Sequence, residues 1–413
     1  MMPVFTALVL SGCLGTDAIP TIESAPPAVE ISTPSVFDAE LAALDEGITW
    51  NLQRSESLGG SWLVLEAAAG LLMERARLSG DYDDYARAEA VLTDAFAQAP
   101  VGSGPFLTRA QLHYTLHRLD AVGPDLEAAG ARRLLNSEQQ GAIALLGANL
   151  ALQHGDYPAA EAGYAEAIAL HRSLSAVCSL AVFSWKTGDV AAAEALFSEA
   201  EGMLIGPAIS RRAWLHLQRG LIDLDHDRLD EAMAHYQAAE SVLPGYWLIE
   251  EHVAEVLTLT GRTDDALHRY EAVIANTGNP EFMDAVAGIL AERGDPAAAQ
   301  WVVRARSGHD ARLAAFPEAA AGHALDHYLA HASGPEALEL ARANLAARPN
   351  TEARIGLAEA LLAVGQLDAA AEQLAIADAS PWVSPDLPDL SARLSLAKGD
   401  QDAALGVRSV RDR

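Results

Sequence analysis

Three histidines, His323, His327 and His331, follow one another at four-residue intervals, with Asp326 beside them. In a helix this spacing places the three imidazoles on one face, and imidazoles with a carboxylate can bind transition metals. The first and last of the three lie about 12 Å apart along such a helix, too far for one ion. Two histidines with Asp326 remain a conceivable site, but a partly buried polar face is a commoner use of such a row. We therefore predict no metal ligand here.

Two further clusters contain residue types that could act in catalysis. Three glutamates and His252 lie within residues 250–255, and paired carboxylates can carry out acid–base chemistry. A solvated charged helix face is a far commoner use of such a cluster. His113 and His117 form another pair at four-residue spacing. We assign this pair a structural role, as we do the row that begins at His323.

The sequence lacks the common catalytic motifs. It contains no HExxH, Walker, GxSxG or CxxC pattern. Gly102-Ser103-Gly104 follows no predicted strand, so it is a loop and not a phosphate-binding turn. Cys178 lies in an apolar helical stretch with no indicated base, where cysteine is more often a small apolar filler. We predict that the protein is not an enzyme and has no catalytic residue and no cofactor.

The composition indicates a helical and strongly acidic protein. Of 413 residues, 50% are hydrophobic but only 6% are aromatic, and alternating β-branched runs are nearly absent. The formal charge is −29, and only two of the 28 basic residues, Lys186 and Lys398, are lysines. Such a surface repels phosphate backbones and anionic lipid headgroups. We therefore expect protein partners, no nucleic acid, and membrane contact only through a lipid anchor.

The first residues predict such an anchor. A short apolar run, Val4 to Leu10, is followed by Leu10-Ser11-Gly12-Cys13, which resembles the lipobox of bacterial lipoprotein signal peptides. The resemblance implies a signal peptide at 1–13 and lipidation of Cys13, with a flexible tether rich in Pro, Ser and Thr at 14–36. The alternative is an apolar tail in which Cys13 is incidental.

A repeated pattern runs from about residue 65 almost to the end of the chain. Each unit has an apolar helix, a turn that often begins with glycine, and a second helix with a small residue near its start. Successive small residues lie 33 to 39 positions apart, close to the 34-residue period of helical-hairpin repeats. These anchor residues are Ala88, Val122, Ala160, Ala193, Ala232, Ala266, Ala299, Ala337, Ala370 and Ala404.

Other positions keep the same register. The residue four places after the anchor is bulky or apolar, as at Tyr236 and Val303. The residue twelve places before the anchor is small, as at Gly220. This set resembles the small–bulky–small consensus of tetratricopeptide repeats. The resemblance implies an all-α fold, a right-handed superhelical solenoid of about ten helical hairpins. We place the solenoid at 65–413 and N-terminal capping helices at 37–64.

The repeat is irregular at a few points. The intervals before Ala160, Ala232 and Ala337 are 38 or 39 residues long, and we interpret them as lengthened loops between units. His117 and Asp227 stand where other units have the turn glycine.

The first helices of tetratricopeptide hairpins line a concave groove that binds peptides and protein segments. The groove positions correspond here to Arg77, Gln111, Tyr114, Asn149, Trp185, Lys186, Trp214, Glu251 and Glu255. For Trp185 and Trp214, packing under a neighbouring helix is an equally good interpretation. The later units have Glu281, Asp284, Glu352 and Glu359 at these places. The C-terminal half of the groove is thus predicted to be acidic and to favour basic partners.

The resemblance implies a non-catalytic protein-protein interaction scaffold at the bacterial cell envelope. The scaffold would be lipid-anchored on the periplasmic or outer-surface face and would bind a partner segment in its groove. Two alternatives remain open. One is a ligand-binding component that captures a peptide or small molecule. The other is a metal-binding or catalytic protein that uses the cluster at His323.

Overall fold

A computed structural model of the chain describes residues 35–132 and 134–399. This range contains twenty helices and no strand, which confirms the predicted all-α fold. None of the helices in this range is both long and apolar enough to span a bilayer. The helices are α1 Val36–Ser57, α2 Trp62–Ser79, α3 Asp83–Gln98, α4 Phe106–Thr115, α5 Leu119–Gly130, α6 Ser137–Gln153, α7 Tyr157–Leu170, α8 Leu174–Lys186, α9 Val190–Gly202, α10 Ile209–Asp225, α11 Leu229–Val242, α12 Trp247–Leu259, α13 Thr263–Thr277, α14 Pro280–Glu292, α15 Ala298–Ala315, α16 Pro317–His331, α17 Gly334–Ala347, α18 Thr351–Ala363, α19 Leu367–Asp378 and α20 Asp386–Ala397.

The helices are arranged as consecutive hairpins. From α2 to α19, each even-numbered helix packs most extensively against the odd-numbered helix that follows it, which gives nine hairpins in the described residues. Helix α1 packs on α2, and α20 follows the last hairpin. Several even-numbered helices also contact the next even-numbered helix, including α14 with α16 and α16 with α18. The even-numbered helices therefore form the inner layer of a helical solenoid, and the odd-numbered helices form the outer layer.

The repeat consensus is visible in the packing at Gly220 and Tyr236. The Tyr236 ring is fully buried against α10, and a Cβ atom added to Gly220 would lie 2.2 Å from its Cε1 atom. Any side chain at this position would therefore overpack the hairpin, at a cost of about 1–3 kcal/mol. The small residue of the first helix is what lets the bulky residue of the second helix fit.

The turn inside a hairpin has a left-handed backbone conformation even where its residue is not glycine. Gly188 ends α8 with a φ of 88°, a left-handed conformation that glycine adopts without strain. His117 and Asp227 replace the turn glycine and still adopt φ values of 54° and 56°. The hairpin geometry therefore imposes this conformation on the two residues, at a cost of about 1–2 kcal/mol for a residue with a Cβ.

The seventh unit differs from the prediction. The anchor assigned to Ala299 is exposed, and Val303 is 70% exposed. Helix α15 begins at Ala298 and runs for 18 residues, and Ala305 takes the buried position. The prediction that the long interval before Ala337 lengthens a loop between units is wrong. The extra residues lengthen α15, because only Phe316 separates α15 from α16. The extra residues before Ala160 and Ala232 do lie in the connections that precede α6 and α10.

The solenoid coils far enough for successive turns to touch. The indole N–H of Trp247 on α12 donates to the Leu78 carbonyl oxygen on α2 over 2.8 Å. Farther along, the Tyr157 hydroxyl lies 2.6 Å from the Thr351 hydroxyl, and the Asn350 amide donates to Gln153 over 3.0 Å. These contacts join residues 169 to 197 positions apart. A turn of the superhelix thus takes five or six hairpins, and its inner layer is partly covered by the next turn.

Candidate functional site

The nine predicted groove residues all lie on even-numbered helices of the inner layer, from α2 to α12. Arg77 and Gln111 are partly exposed, while the other seven are buried. Among the buried ones, the Trp185 and Trp214 side chains pack in one core cluster with Phe197. For these two tryptophans the structure therefore favours packing under a neighbouring helix. Partner binding by any of the nine remains a prediction.

Lys186 shows how the superhelical turns cover this part of the inner layer. Its ammonium group is buried, lies 2.9 Å from an Asp225 carboxylate oxygen, and stacks 3.7 Å from the centre of the Trp185 ring. Val383 from the following turn donates its backbone N–H to the Lys186 carbonyl oxygen over 2.8 Å, and Trp382 is buried beside it. The lysine charge is thus already paired inside the protein.

The cluster on α12 is also buried and internally paired. His252 lies between Glu251 and Glu255, with each ring nitrogen 3.2 Å from one carboxylate oxygen. Its ring stacks on Tyr236 at a centroid distance of 5.4 Å. Burial, opposed by the nearby His252 and reinforced by Glu255, raises the pKa of Glu251 to about 8. The expected solvated face at residues 250–255 is therefore wrong for these three side chains, which lie inside the solenoid.

The carboxylates of α14 are matched with bases from the next two helices. Glu281 accepts from His323 over 3.3 Å and lies 3.8 Å from the Arg312 guanidinium group. Burial alone would raise the pKa of Glu281, but His323 and then Arg312 lower it to about 2. Asp284 accepts from His309 over 2.8 Å and from His327 over 2.7 Å. These hydrogen bonds outweigh the effect of burial and lower the pKa of Asp284.

The histidine row on α16 is therefore divided among different partners. His323 pairs with Glu281 and His327 pairs with Asp284, while His331 is exposed. Asp326 does not join any of these histidines in a group with metal-ligand spacing. The conceivable site of two histidines with Asp326 is thus not assembled. His309, which sequence reasoning did not single out, completes the arrangement around Asp284 from α15.

A second group of carboxylates lies on the last three inner helices, and we call it the inner acid cluster. It consists of Asp326 on α16, Glu352 and Glu359 on α18, and Asp386 at the start of α20. Desolvation of its carboxyl group, together with Glu359, Glu281 and Asp386, raises the pKa of Asp326 to about 7. Asp386 is an exposed residue whose carboxyl end is partly desolvated, and this effect together with Glu359 raises its pKa.

Positive charge within reach of the inner acid cluster is limited. Burial raises the pKa of Glu352, although Lys186 and Arg348 oppose this shift. Lys186 is already paired with Asp225, and Glu359 accepts from Arg393 over 2.6 Å. Glu352 and Glu359 thus each have a cation nearby, whereas Asp326 and Asp386 have mainly other carboxylates around them. A positively charged group that reached them would relieve this repulsion.

The fold and its inner layer define a helical-repeat protein. Residues 145–206, which include most of α6 to α9, match the family model for the tetratricopeptide repeat. The tetratricopeptide resemblance predicted from the repeat consensus is thereby confirmed for these residues. No protein with a curated description matches the sequence.

Several solved structures are similar to this chain. A tetratricopeptide repeat protein from Parabacteroides merdae is 17% identical, with 57% of this chain and 91% of that chain covered and a TM-score of 0.35. Yeast Tom70 is 13% identical, with 88% and 97% covered and a TM-score of 0.40. Pseudomonas aeruginosa pilF is 16% identical, with 58% and 91% covered and a TM-score of 0.35.

Proposed function

We propose that this protein is a non-catalytic interaction scaffold whose inner acid cluster binds a basic segment of a partner protein. The observation that carries the proposal is the concentration of four carboxylates on three consecutive inner helices, α16, α18 and α20. Tetratricopeptide repeats are in general interaction modules, and their first helices supply the binding surface. The basic segment is the occupant that the charge of this surface favours.

The physical reason for the proposal is that two carboxyl groups of the inner acid cluster, those of Asp326 and Asp386, are difficult to ionise in the free protein. Asp326 and Asp386 have raised pKa values because desolvation and neighbouring carboxylates disfavour their ionised forms. A guanidinium or ammonium group placed among them would favour ionisation and form charge-assisted hydrogen bonds. Each such bond contributes about 1.5–3 kcal/mol when it is shielded from water. Binding should therefore strengthen as the pH rises through the raised pKa values.

A binding experiment with the full chain tests this proposal. Fluorescent peptides of equal length, one rich in arginine and one with acidic residues in place of the arginines, are titrated with the protein at low and high salt. The arginine-rich peptide should bind, and the affinity should fall as salt is added. Glu352→Gln with Asp386→Asn should weaken its binding by about tenfold or more, equivalent to about 1.4 kcal/mol.

A matched variant controls for net charge. Glu372→Gln with Asp378→Asn removes the same number of charges from exposed positions on the outer helix α19. This control should bind the basic peptide as the unmodified protein does. Equal loss in the two double variants, or equal binding of the basic and acidic peptides, would refute a specific acidic site.

We also propose that the scaffold is tethered to the bacterial cell envelope by a lipid on Cys13, on the periplasmic or outer-surface face. Cys13 lies outside the described residues, so this proposal is supported only by the sequence Leu10-Ser11-Gly12-Cys13. In a bacterial host, Cys13→Ser should abolish labelling with a fatty-acid analogue and release the protein from the membrane fraction. Unchanged partitioning of the variant would contradict the anchor.

A further inference from the structure

The geometry points to a binding site for a divalent transition-metal ion, of the Zn²⁺ or Co²⁺ class, formed by Asp284, His309 and His327. The three residues come from consecutive helices α14, α15 and α16, and one potential ligand atom of each lies within 4.8 Å of the other two. This proposal does not rest on the proposed partner binding. The site shares His327 with the histidine row considered from the sequence, but Asp284 and His309 come from α14 and α15.

The three side chains are already directed at one point. The two imidazoles bind opposite oxygens of the same carboxylate, with the His309 Nε2 and His327 Nδ1 atoms 2.8 and 2.7 Å from Oδ2 and Oδ1 of Asp284. The two rings lie 5.0 Å apart. Ligand atoms around a tetrahedral Zn²⁺ lie about 3.4 Å from one another, given metal–ligand distances near 2.1 Å. Small side-chain rotations would thus convert the hydrogen-bonded group into a ligand set.

Burial makes the imidazoles suitable ligands. His309 is 2% exposed, and the His327 side chain is fully buried. The His327 Nε2 atom is buried and has no hydrogen-bond partner in the structure. A neutral imidazole that ligates through Nδ1 carries its proton on Nε2, where the structure shows no hydrogen bond to be broken.

The composition of the group selects the class of ion. Two imidazoles with one carboxylate suit Zn²⁺, Co²⁺ and Ni²⁺, whereas Mg²⁺ and Ca²⁺ prefer oxygen ligands alone. His331 offers a fourth ligand and a route from solvent, since it is exposed and its ring lies 5.1 Å from that of His327. The two residues have the four-residue spacing at which histidines of one helix bind a shared ion.

The electrostatic environment favours a cation at this point. Besides the ligand Asp284, the carboxylates of Glu281 and Asp326 lie on the same pair of helices, α14 and α16. A bound divalent ion would offset this concentration of carboxylates and would join three consecutive helices, α14, α15 and α16.

Metal titration of the full chain, without a histidine tag and after dialysis against a chelator, tests the inference. Calorimetry with Zn²⁺ and absorption spectroscopy with Co²⁺ should show one equivalent bound, with the intense visible bands of a tetrahedral Co²⁺ site. His309→Gln and His327→Gln should each weaken binding by more than about a hundredfold, because even outer-shell partners of metal ligands contribute about 10–100-fold. His331→Gln should have a smaller effect.

Two histidine variants serve as controls. His268→Gln changes an exposed histidine on α13, and His252→Gln changes the other buried group with ligand spacing, on α12. Both should retain the Co²⁺ spectrum. If a buried variant loses helical circular dichroism, its loss of metal binding is not informative. Thermal unfolding then replaces it: Zn²⁺ should raise the unfolding midpoint of the unmodified protein, and it should raise that of His331→Gln by less. Absence of binding by the unmodified protein, equal binding by His327→Gln, or loss of binding in His252→Gln would each overturn the assignment.

Discussion

The carboxylates of α14 and those of the inner acid cluster lie on neighbouring inner helices but differ in their partners. Glu281 and Asp284 are surrounded by histidines and an arginine from α15 and α16, which lower their pKa values. Asp326 and Asp386 have mostly other carboxylates around them, and their pKa values are raised. The α14 carboxylates are thus neutralised within the chain, whereas Asp326 and Asp386 are not.

The difference separates structural charges from charges that can serve recognition. A buried carboxylate that is paired with fixed bases stabilises the packing and resists change, since removal of one member leaves the others unpaired. Carboxylates that repel one another make the fold less stable than it could be, and such a cost is commonly found at functional sites. The following substitutions test this distinction, beginning with the largest expected effect.

Asp284→Ala should destabilise the protein by about 2–4 kcal/mol at pH 7. The substitution removes the only acceptor shown for the facing ring nitrogens of His309 and His327, which are both buried. Urea unfolding followed by circular dichroism measures the loss. A loss below about 0.5 kcal/mol, the range of ordinary surface substitutions, would mean that these hydrogen bonds do not hold α14 to α16.

Asp326→Asn should have the opposite effect and stabilise the protein by about 1–2 kcal/mol at pH 8. The pKa of Asp326 is about 7 in the folded protein, above the value of about 4 of an unfolded aspartate. The folded state therefore binds more protons between these pH values, and its stability falls as the pH rises through them. The gain should disappear at about pH 4, and a gain that does not change with pH would contradict the account.

Glu281→Gln should reduce the free energy of unfolding by about 1 kcal/mol at neutral pH. The pKa of Glu281 is about 2 in the folded protein, below the value of about 4.3 of an unfolded glutamate. Its contribution is therefore complete above the unfolded value and is lost as the pH falls towards 2. Parallel urea titrations of the variant and the unmodified protein should converge in acid. A constant difference down to about pH 2 would show that the ionised form is not preferred.

Asp386→Asn should change stability least, by no more than about 0.5 kcal/mol, because the residue is exposed. Its effect on binding of the basic peptide should nevertheless exceed that of Asp378→Asn on the outer helix α19. Anisotropy titrations of the two single variants make this comparison. Equal affinities would remove Asp386 from the binding surface.

The sequence predicts the hairpins well because they depend on local spacing. Gly220 and Tyr236 show this, since a small residue and a bulky residue at fixed places determine the packing of α10 on α11. The prediction is wrong at Ala299, where a longer α15 moves the buried alanine to residue 305. Both positions are alanines in an alanine-rich stretch, so the pattern of residue types does not distinguish one helical register from another.

The candidate site depends on contacts that spacing does not show. The four-residue intervals of His323, His327 and His331 correctly indicate one helix face, but the partners of His323 and His327 lie 42 and 43 positions earlier on α14. His309 is a polar residue four places after the buried Ala305, and this periodicity is the one signal that could have found it. The contacts between superhelical turns, such as Tyr157 with Thr351, join units too distant for repeat periodicity to reveal.

The most direct test of the central claim is the titration of the Asp326 carboxyl group itself. Carbon-13 labelling of aspartate side chains, with Asp326→Asn to assign the signal, gives its pKa by nuclear magnetic resonance. We predict a pKa of about 7 in the free protein and a marked decrease when the arginine-rich peptide is bound. A pKa of about 4 in the free protein, or no change with saturating peptide, would contradict the proposal that Asp326 has no cationic partner within the chain and gains one from the bound segment.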